Sequence, residues 1–298
     1  MIRRRDFVRH SLLAGAPLAA LQHKLFGAVT GYSENPARRH AYDTVPLGPD
    51  GLKPSRLAMG TGTSGFRGAS NQTRKLGVEG LADLYRFGFD SGLNFWDTAD
   101  AYGSHPHLRR ALEDIPREKV VIMTKSTTKT AKGMREDIER FRRELKTDYI
   151  DLLLLHAVRE EDWPVQRQGA MDVINEYKQK GIVKSRGISC HSLPALRQVH
   201  KQEFIDVDLA RVNAVGARMD ADPATVIEEL CKIKAAGKGV IGMKILGEGV
   251  LRDRVGEALQ HALALDCIDC FTIGAEDRYE LADLVQRIPE ASTLGWHA

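Results

Sequence analysis

The stretch Leu93-Asn94-Phe95-Trp96-Asp97-Thr98-Ala99-Asp100-Ala101-Tyr102-Gly103 passes from a short apolar run directly into acidic and phenolic residues. Two further stretches repeat that arrangement. Val120-Val121-Ile122-Met123-Thr124 ends on Lys125, and Tyr149-Ile150-Asp151-Leu152-Leu153-Leu154-Leu155 ends on His156. Short continuous apolar runs, one of them preceded by the turn-like Pro116-Arg117-Glu118, read as strands buried on both faces. An acid, a phenol, an amine and an imidazole thus stand at the C-terminal ends of successive strands. In a parallel barrel those ends converge on one mouth, where catalytic groups gather.

The remaining chain keeps the alternation. Strands are expected at residues 56–60, 94–97, 120–125, 150–156, 185–189, 209–214, 240–244 and 268–273. Helical patterns lie around residues 80–91, 108–112, 134–145, 171–180, 193–201, 223–236, 252–264 and 279–288. Eight strands each followed by a helix predict an α/β fold, a (β/α)8 TIM barrel, over residues 46–298, close to the usual size of about 250 residues. No repeat or low-complexity segment interrupts it, and residues 31–45 read as a linker.

Composition is consistent with one large domain. The chain has 298 residues, an ordinary apolar fraction and a formal charge of +3. That small excess owes much to Arg3, Arg4, Arg5, Arg9, Arg38 and Arg39, and beyond residue 40 the balance turns slightly acidic. It is not a nucleic-acid footprint. Arg3-Arg4-Arg5-Asp6-Phe7-Val8 followed by the short apolar stretch Ser11-Leu12-Leu13-Ala14-Gly15-Ala16-Pro17-Leu18-Ala19-Ala20-Leu21 resembles a twin-arginine export signal. The apolar run is too short to span a bilayer. Residues 1–30 are therefore set aside as a signal, with the twin-arginine machinery as partner and the periplasm as destination. A basic amphipathic N-terminal helix is the alternative.

Gly60-Thr61-Gly62-Thr63-Ser64-Gly65 matches GxGxxG after a strand, with Asp83 downstream where a ribose-binding acid would sit. The next residues, Phe66-Arg67-Gly68-Ala69-Ser70-Asn71-Gln72, read as a loop. A Rossmann phosphate site needs a helix N-terminus there, so the motif is taken as part of a barrel loop.

The order Asp97, Tyr102, Lys125, His156, at the ends of successive strands, resembles the aldo-keto reductases. The resemblance runs from about Val45 to the C-terminus, and the opening 47–62 also looks like that family's first strand. It implies a nicotinamide-dependent oxidoreductase. Reducing a carbonyl by hydride needs a proton donor at the oxygen, and Tyr102 is the candidate. A free phenol titrates near 10, so Lys125 would stabilise its phenolate and Asp97 would hold the lysine charged. His156 would orient the carbonyl oxygen or take part in proton transfer.

The same resemblance places the cofactor. Gly60, Thr61 and Gly62 would approach the nicotinamide end, beside Asp97. Gly187-Ile188-Ser189-Cys190-His191 looks like the fifth-strand motif, in which Ser189 would hold the carboxamide and Cys190 replaces an asparagine. Arg211 stands where the family usually has glutamine. In Gly242-Met243-Lys244-Ile245-Leu246-Gly247, Met243 takes the place of an aromatic ring that stacks on nicotinamide, with Lys244 and Leu246 beside it. Gly274, Glu276 and Arg278 lie in the manner of the adenosine-phosphate site. Arg278 favours NADP by pairing with a 2′-phosphate, whereas the carboxylate of Glu276 leaves NAD possible.

His105 and Trp163 are expected on loops lining the substrate mouth. A metal reading of His105-Pro106-His107 is set aside because no acidic partner lies nearby in the sequence. Cys267-Ile268-Asp269-Cys270 has CxxC spacing but no second pair, so the four cysteines are taken as mostly structural. The run 135–143 alternates basic and acidic residues, as on a solvated helix face. Short loops suggest an open pocket for a small or exposed carbonyl or alcohol. Two other classes compete: a cofactor-binding sensor or subunit with little turnover, and a ligand-binding barrel with no redox role. Outside the cytoplasm the cofactor is expected to travel tightly bound to the folded protein.

Overall fold

A computed structural model describes residues 31–33 and 37–296. The twin-arginine motif and the apolar stretch behind it lie outside the described residues. The order is β1 (Leu57–Gly60), α1 (Asn71–Asp90), β2 (Phe95–Asp97), α2 (His105–Ala111), β3 (Val121–Ser126), α3 (Ala131–Leu145), β4 (Ile150–Val158), α4 (Trp163–Gln166) and α5 (Gln168–Gln179). It continues with β5 (Val183–Cys190), α6 (Leu193–Val199), β6 (Val207–Arg211), α7 (Pro223–Ala235), β7 (Gly239–Met243), α8 (Val255–Ala264), β8 (Cys270–Ile273) and α9 (Arg278–Ala291). All eight strands pair in parallel and in sequence order, and β8 returns to β1, closing the (β/α)8 barrel.

Strand alternation sorts side chains into two layers. Ala58, Phe95, Met123, Leu152, Leu154, Val207, Leu209, Ile241 and Cys270 fill the barrel interior. Val45, Leu47 and Leu52 join them from an N-terminal hairpin held by the Leu47–Leu52 bridge. Residues of opposite parity, such as Met59, Trp96, Ile122, Leu153 and Ile188, face the helices in a much larger outer core. Each fully buried leucine or phenylalanine contributes about 1.5–3 kcal/mol of transfer free energy. This apolar layer lies below Asp97, Lys125, His156 and Thr272, which stand at the C-terminal ends of their strands.

Two expectations change. The first helix begins at Asn71, where Ser70 caps it in a reciprocal pair with Thr73, and not near residue 80. Gly77 breaks it with φ 62° and ψ −172°, which interrupts the helical period and hides the first turns from a pattern search. Nor is the segment 31–45 a loose linker. Tyr32 bridges Leu265 in antiparallel fashion, Ser33 N donates to Ala264 O at 2.7 Å, and Arg39 Nη1 donates to Leu263 O at 2.7 Å. Ala41 is fully buried in the outer core.

Candidate active site

Parity along the strands aims Asp97 of β2, Lys125 of β3 and His156 of β4 into the same upper interior as Thr272 of β8. Lys125, fully buried, donates from Nζ to Asp97 Oδ1 and, at 2.8 Å, to Thr98 O. Asp97 Oδ2 accepts from Thr272 Oγ1 at 2.8 Å. A buried ion pair of this kind persists only when its remaining valences are met, and Thr98 and Thr272 meet them. Thr272 was not singled out from the sequence. It shares interior parity with Cys270, and that signal would have found it.

Tyr102 reaches the group from a 3-10 turn, Asp100–Tyr102, that ends on Gly103 at φ 64°. A Cβ on Gly103 would lie 1.9 Å from Gly68 O, so only glycine fits. Arg140 Nη1 holds Asp100 Oδ1 at 2.6 Å, fixing the turn to α3. The Tyr102 hydroxyl lies 3.4 Å from His156 Nε2, with the rings edge to face at 5.6 Å between centroids. Lys125 Nζ sits 4.9 Å from the centre of the phenol ring. The structure thus brings together all four groups named from the sequence. On β4, a register shift between Leu155 and Val158 places Ala157 at φ 51°, directly after the histidine.

Electrostatics assign the protons. Burial is the largest influence on Tyr102 and raises it above the usual phenol; Lys125 pulls it down and Asp97 pushes it up, without reversing that. Lysine alone therefore does not yield a phenolate at neutral pH. Burial depresses Lys125, but Asp97 and Tyr102 outweigh it and hold the ammonium above an ordinary lysine. His156 falls well below its usual value, chiefly through burial, with Lys125, His191 and Arg167 pressing the same way. The arrangement is a protonated tyrosine between a charged lysine and a neutral imidazole: a donor ready for a developing oxyanion.

The glycine-rich loop packs against the tyrosine. A Cβ on Gly62 would lie 2.6 Å from Tyr102 ring carbons, and one on Gly65 would lie 2.4 Å from another. These glycines seat the phenol. Thr61 is fully buried, bonding through Oγ1 to Asp97 O at 2.9 Å and to Ser104 Oγ at 2.8 Å, so its side chain is structural. Gly60 takes an interior position, where a Cβ would meet Thr272 Oγ1 at 2.9 Å.

Around the mouth, Ser189 is buried and its hydroxyl has no hydrogen-bond partner among the described residues. Arg211 ends β6 and pairs with Asp220, whose carboxyl is raised by burial against the pull of that arginine. Asp220 Oδ2 and Arg211 Nε are also unpartnered. Met243 ends β7 and packs on the interior cluster. Lys244, at φ 62°, pairs with Glu248, and Leu246 packs against the outer core. A Cβ on Gly274 would lie 2.6 Å from both Gln72 Nε2 and Thr63 Oγ1. Glu276 Oε1 accepts from Asn71 Nδ2 at 3.0 Å and Oε2 faces Lys75 Nζ at 3.4 Å. Arg278 opens α9 with its guanidinium 5.5 Å from the Phe87 ring centre.

Three expected site residues are placed elsewhere. His105 is in α2, 2% exposed, with Nδ1 2.7 Å from Glu144 Oε2 and Nε2 2.8 Å from Thr124 Oγ1. Its acidic partner exists, on another helix, and the ring braces α2 and α3 on β3 instead of lining the mouth. Trp163 is fully buried, its indole donating to Ala195 O at 3.2 Å. Its ring is enclosed in the outer core. Cys190 is fully buried in the outer core, and burial raises its thiol well above normal. It fills core space where the resemblance puts an asparagine, in keeping with the structural reading of the cysteines.

The aldo/keto reductase family profile matches residues 58–280. The chain belongs to the aldo/keto reductase family. A Glycine max protein of that family, named probable aldo-keto reductase 1, is 27% identical over 69% of this chain and 60% of its own length. The NAD/NADP-dependent indole-3-acetaldehyde reductase of Schizosaccharomyces pombe is 27% identical over 76% of this chain and 74% of its own. Several curated relatives are matched over less than two thirds of their length. Among solved family members, an aldo-keto reductase from Pseudomonas aeruginosa superposes with TM-score 0.70 at 25% identity, covering 85% of this chain and 97% of its own.

Proposed function

We propose that the protein is an oxidoreductase passing a hydride between a nicotinamide nucleotide and a carbonyl or alcohol substrate. The observation that carries this is Tyr102, protonated and wedged between Lys125 and His156 at 3.4 Å from the imidazole. Bound nicotinamide would supply the hydride, which no side chain provides. Tyr102 gives its proton to the carbonyl oxygen as charge develops there, and takes it back when an alcohol is oxidised. Lys125 lowers the cost of the resulting phenolate, and neutral His156 donates to or orients the same oxygen.

The unpartnered Ser189 hydroxyl, with Arg211 and Asp220, fits the carboxamide of such a nucleotide, and Met243 offers a polarisable face to a flat ring. NADP is the preferred form. Arg278 makes no ion pair among the described residues, and Lys75 stands beside Glu276, so two cations border the adenosine end. The S. pombe relative, whose name carries both nucleotides, is compatible with NAD as well. The substrate is a small or exposed aldehyde, ketone or alcohol. Residues 1–30 direct export by the twin-arginine route, which carries the folded protein with its nucleotide tightly bound into the periplasm.

Tyr102→Phe tests the mechanism. Turnover of an aldehyde panel should fall by roughly 10²–10⁴, while nucleotide binding, read by fluorescence quenching, stays within a factor of two or so. Retained turnover refutes the assignment. A sensor with little turnover is the second reading, favoured because Arg211 is already engaged by Asp220. It predicts wild-type turnover as low as that of the variant.

A further inference from the structure

Two cysteines distant in sequence meet outside the active site. Cys231 lies on α7 and Cys267 in the turn leading into β8. A Cβ built on Gly31 would stand 2.8 Å from Cys231 Sγ and 3.8 Å from Cys267 Sγ, so the sulfurs flank a single point. Each thiol shifts the ionisation of the other. Gly31 is itself held there, its carbonyl accepting from Asp266 N at 2.8 Å beside the Tyr32–Leu265 bridge. Its φ of +70° and the sulfur contact leave no room for a side chain. The chain entering the barrel therefore closes over the pair.

The pair is asymmetric. Cys267 is buried and Cys231 is partly exposed. Cys267 draws Cys231 down to about 7 against the effect of burial, and Cys231 together with burial pushes Cys267 up. Cys190 and Cys270 are both buried, and burial raises their thiols. An accessible, partly ionised thiol next to a sheltered one is the arrangement in which exchange begins at the first and ends at the second.

We propose that Cys231 and Cys267 are a disulfide-forming pair that is oxidised by exchange with a small disulfide such as oxidised glutathione. The Cys231 thiolate attacks one glutathione sulfur, forming a mixed disulfide and releasing one glutathione thiolate. Cys267 then gives its proton to a thiolate and attacks the Cys231 sulfur, forming the intramolecular bond and releasing the second glutathione. The protein loses two electrons and two protons, and the glutathione disulfide gains both. The bond would tie α7 to the approach of β8 under the point where residue 31 enters. This inference rests on side-chain placement and is independent of both hydride transfer and export.

The full chain, reduced and then incubated in native buffer with oxidised glutathione, would be alkylated after unfolding and weighed intact. Two of the four thiols should escape alkylation, the unalkylated mass should drop by two hydrogens, and digestion should yield one cross-linked peptide joining 231 to 267. The thermal midpoint should rise and return on reduction. In Cys267→Ser the reaction should stop at a glutathione adduct on Cys231. Four alkylated thiols in the wild type, a lasting glutathione adduct there, or a link involving Cys190 or Cys270 overturns the proposal. If the serine variant fails to fold, the wild-type masses still decide.

Discussion

At the scale of single residues, the proton inventory around Tyr102 sets the pH behaviour. Burial raises the phenol, so it stays protonated through neutrality, and His156, depressed by burial and cationic neighbours, stays neutral. The donor for carbonyl reduction is therefore fully loaded until pH climbs past the raised phenol value. The base for alcohol oxidation is scarce at neutral pH and grows with each unit. We expect kcat/KM for reduction to stay flat between roughly pH 7 and 9, while that for oxidation climbs by nearly tenfold per unit. Steady-state profiles in both directions check this. A reduction rate that falls with a midpoint near neutrality would mean that the phenol ionises much earlier than its buried position dictates.

At the scale of elements, His105 joins three of them. Its ring nitrogens face Glu144 of α3 and Thr124 of β3, and its face meets Phe141 at 4.9 Å. Replacing His105 by Leu leaves the buried Thr124 hydroxyl without that partner and should cost about 1–3 kcal/mol in urea unfolding. KM for carbonyl substrates should not move, and a KM change without lost stability would return the residue to the substrate mouth. The same residue shows what a linear reading can reach. The tetrad was legible because Asp97, Lys125 and His156 each end an apolar run, with Tyr102 in the turn after the first, and parallel strands carry their ends to one place by topology alone. His105 and Trp163 lie away from the expected loops because their places depend on partners such as Glu144 and Ala195, brought close only by helix packing. Gly62 and Gly65 were located correctly near the reacting end but serve the tyrosine ring, a contact that spacing does not reveal.

At the scale of the whole molecule, the barrel and the segment before it pose a joint question of delivery. Residues 31–33 are already docked on the turn between α8 and β8, and Ala41 is buried under the helices. Residues 31–33, which follow the export signal proposed for residues 1–30, are therefore part of the folded barrel. If the twin arginine Arg4-Arg5 directs export, changing both to Lys should keep the full-length protein in the cytoplasm of a bacterial host, still folded. Wild-type protein should accumulate in the periplasm, shortened at its N-terminus and carrying nucleotide. Fractionation, N-terminal sequencing and nucleotide release by acid check the three parts separately. Periplasmic delivery of the double-lysine variant would remove the twin-arginine route. Nucleotide-free wild-type protein in the periplasm would remove the tightly held cofactor and leave the route intact.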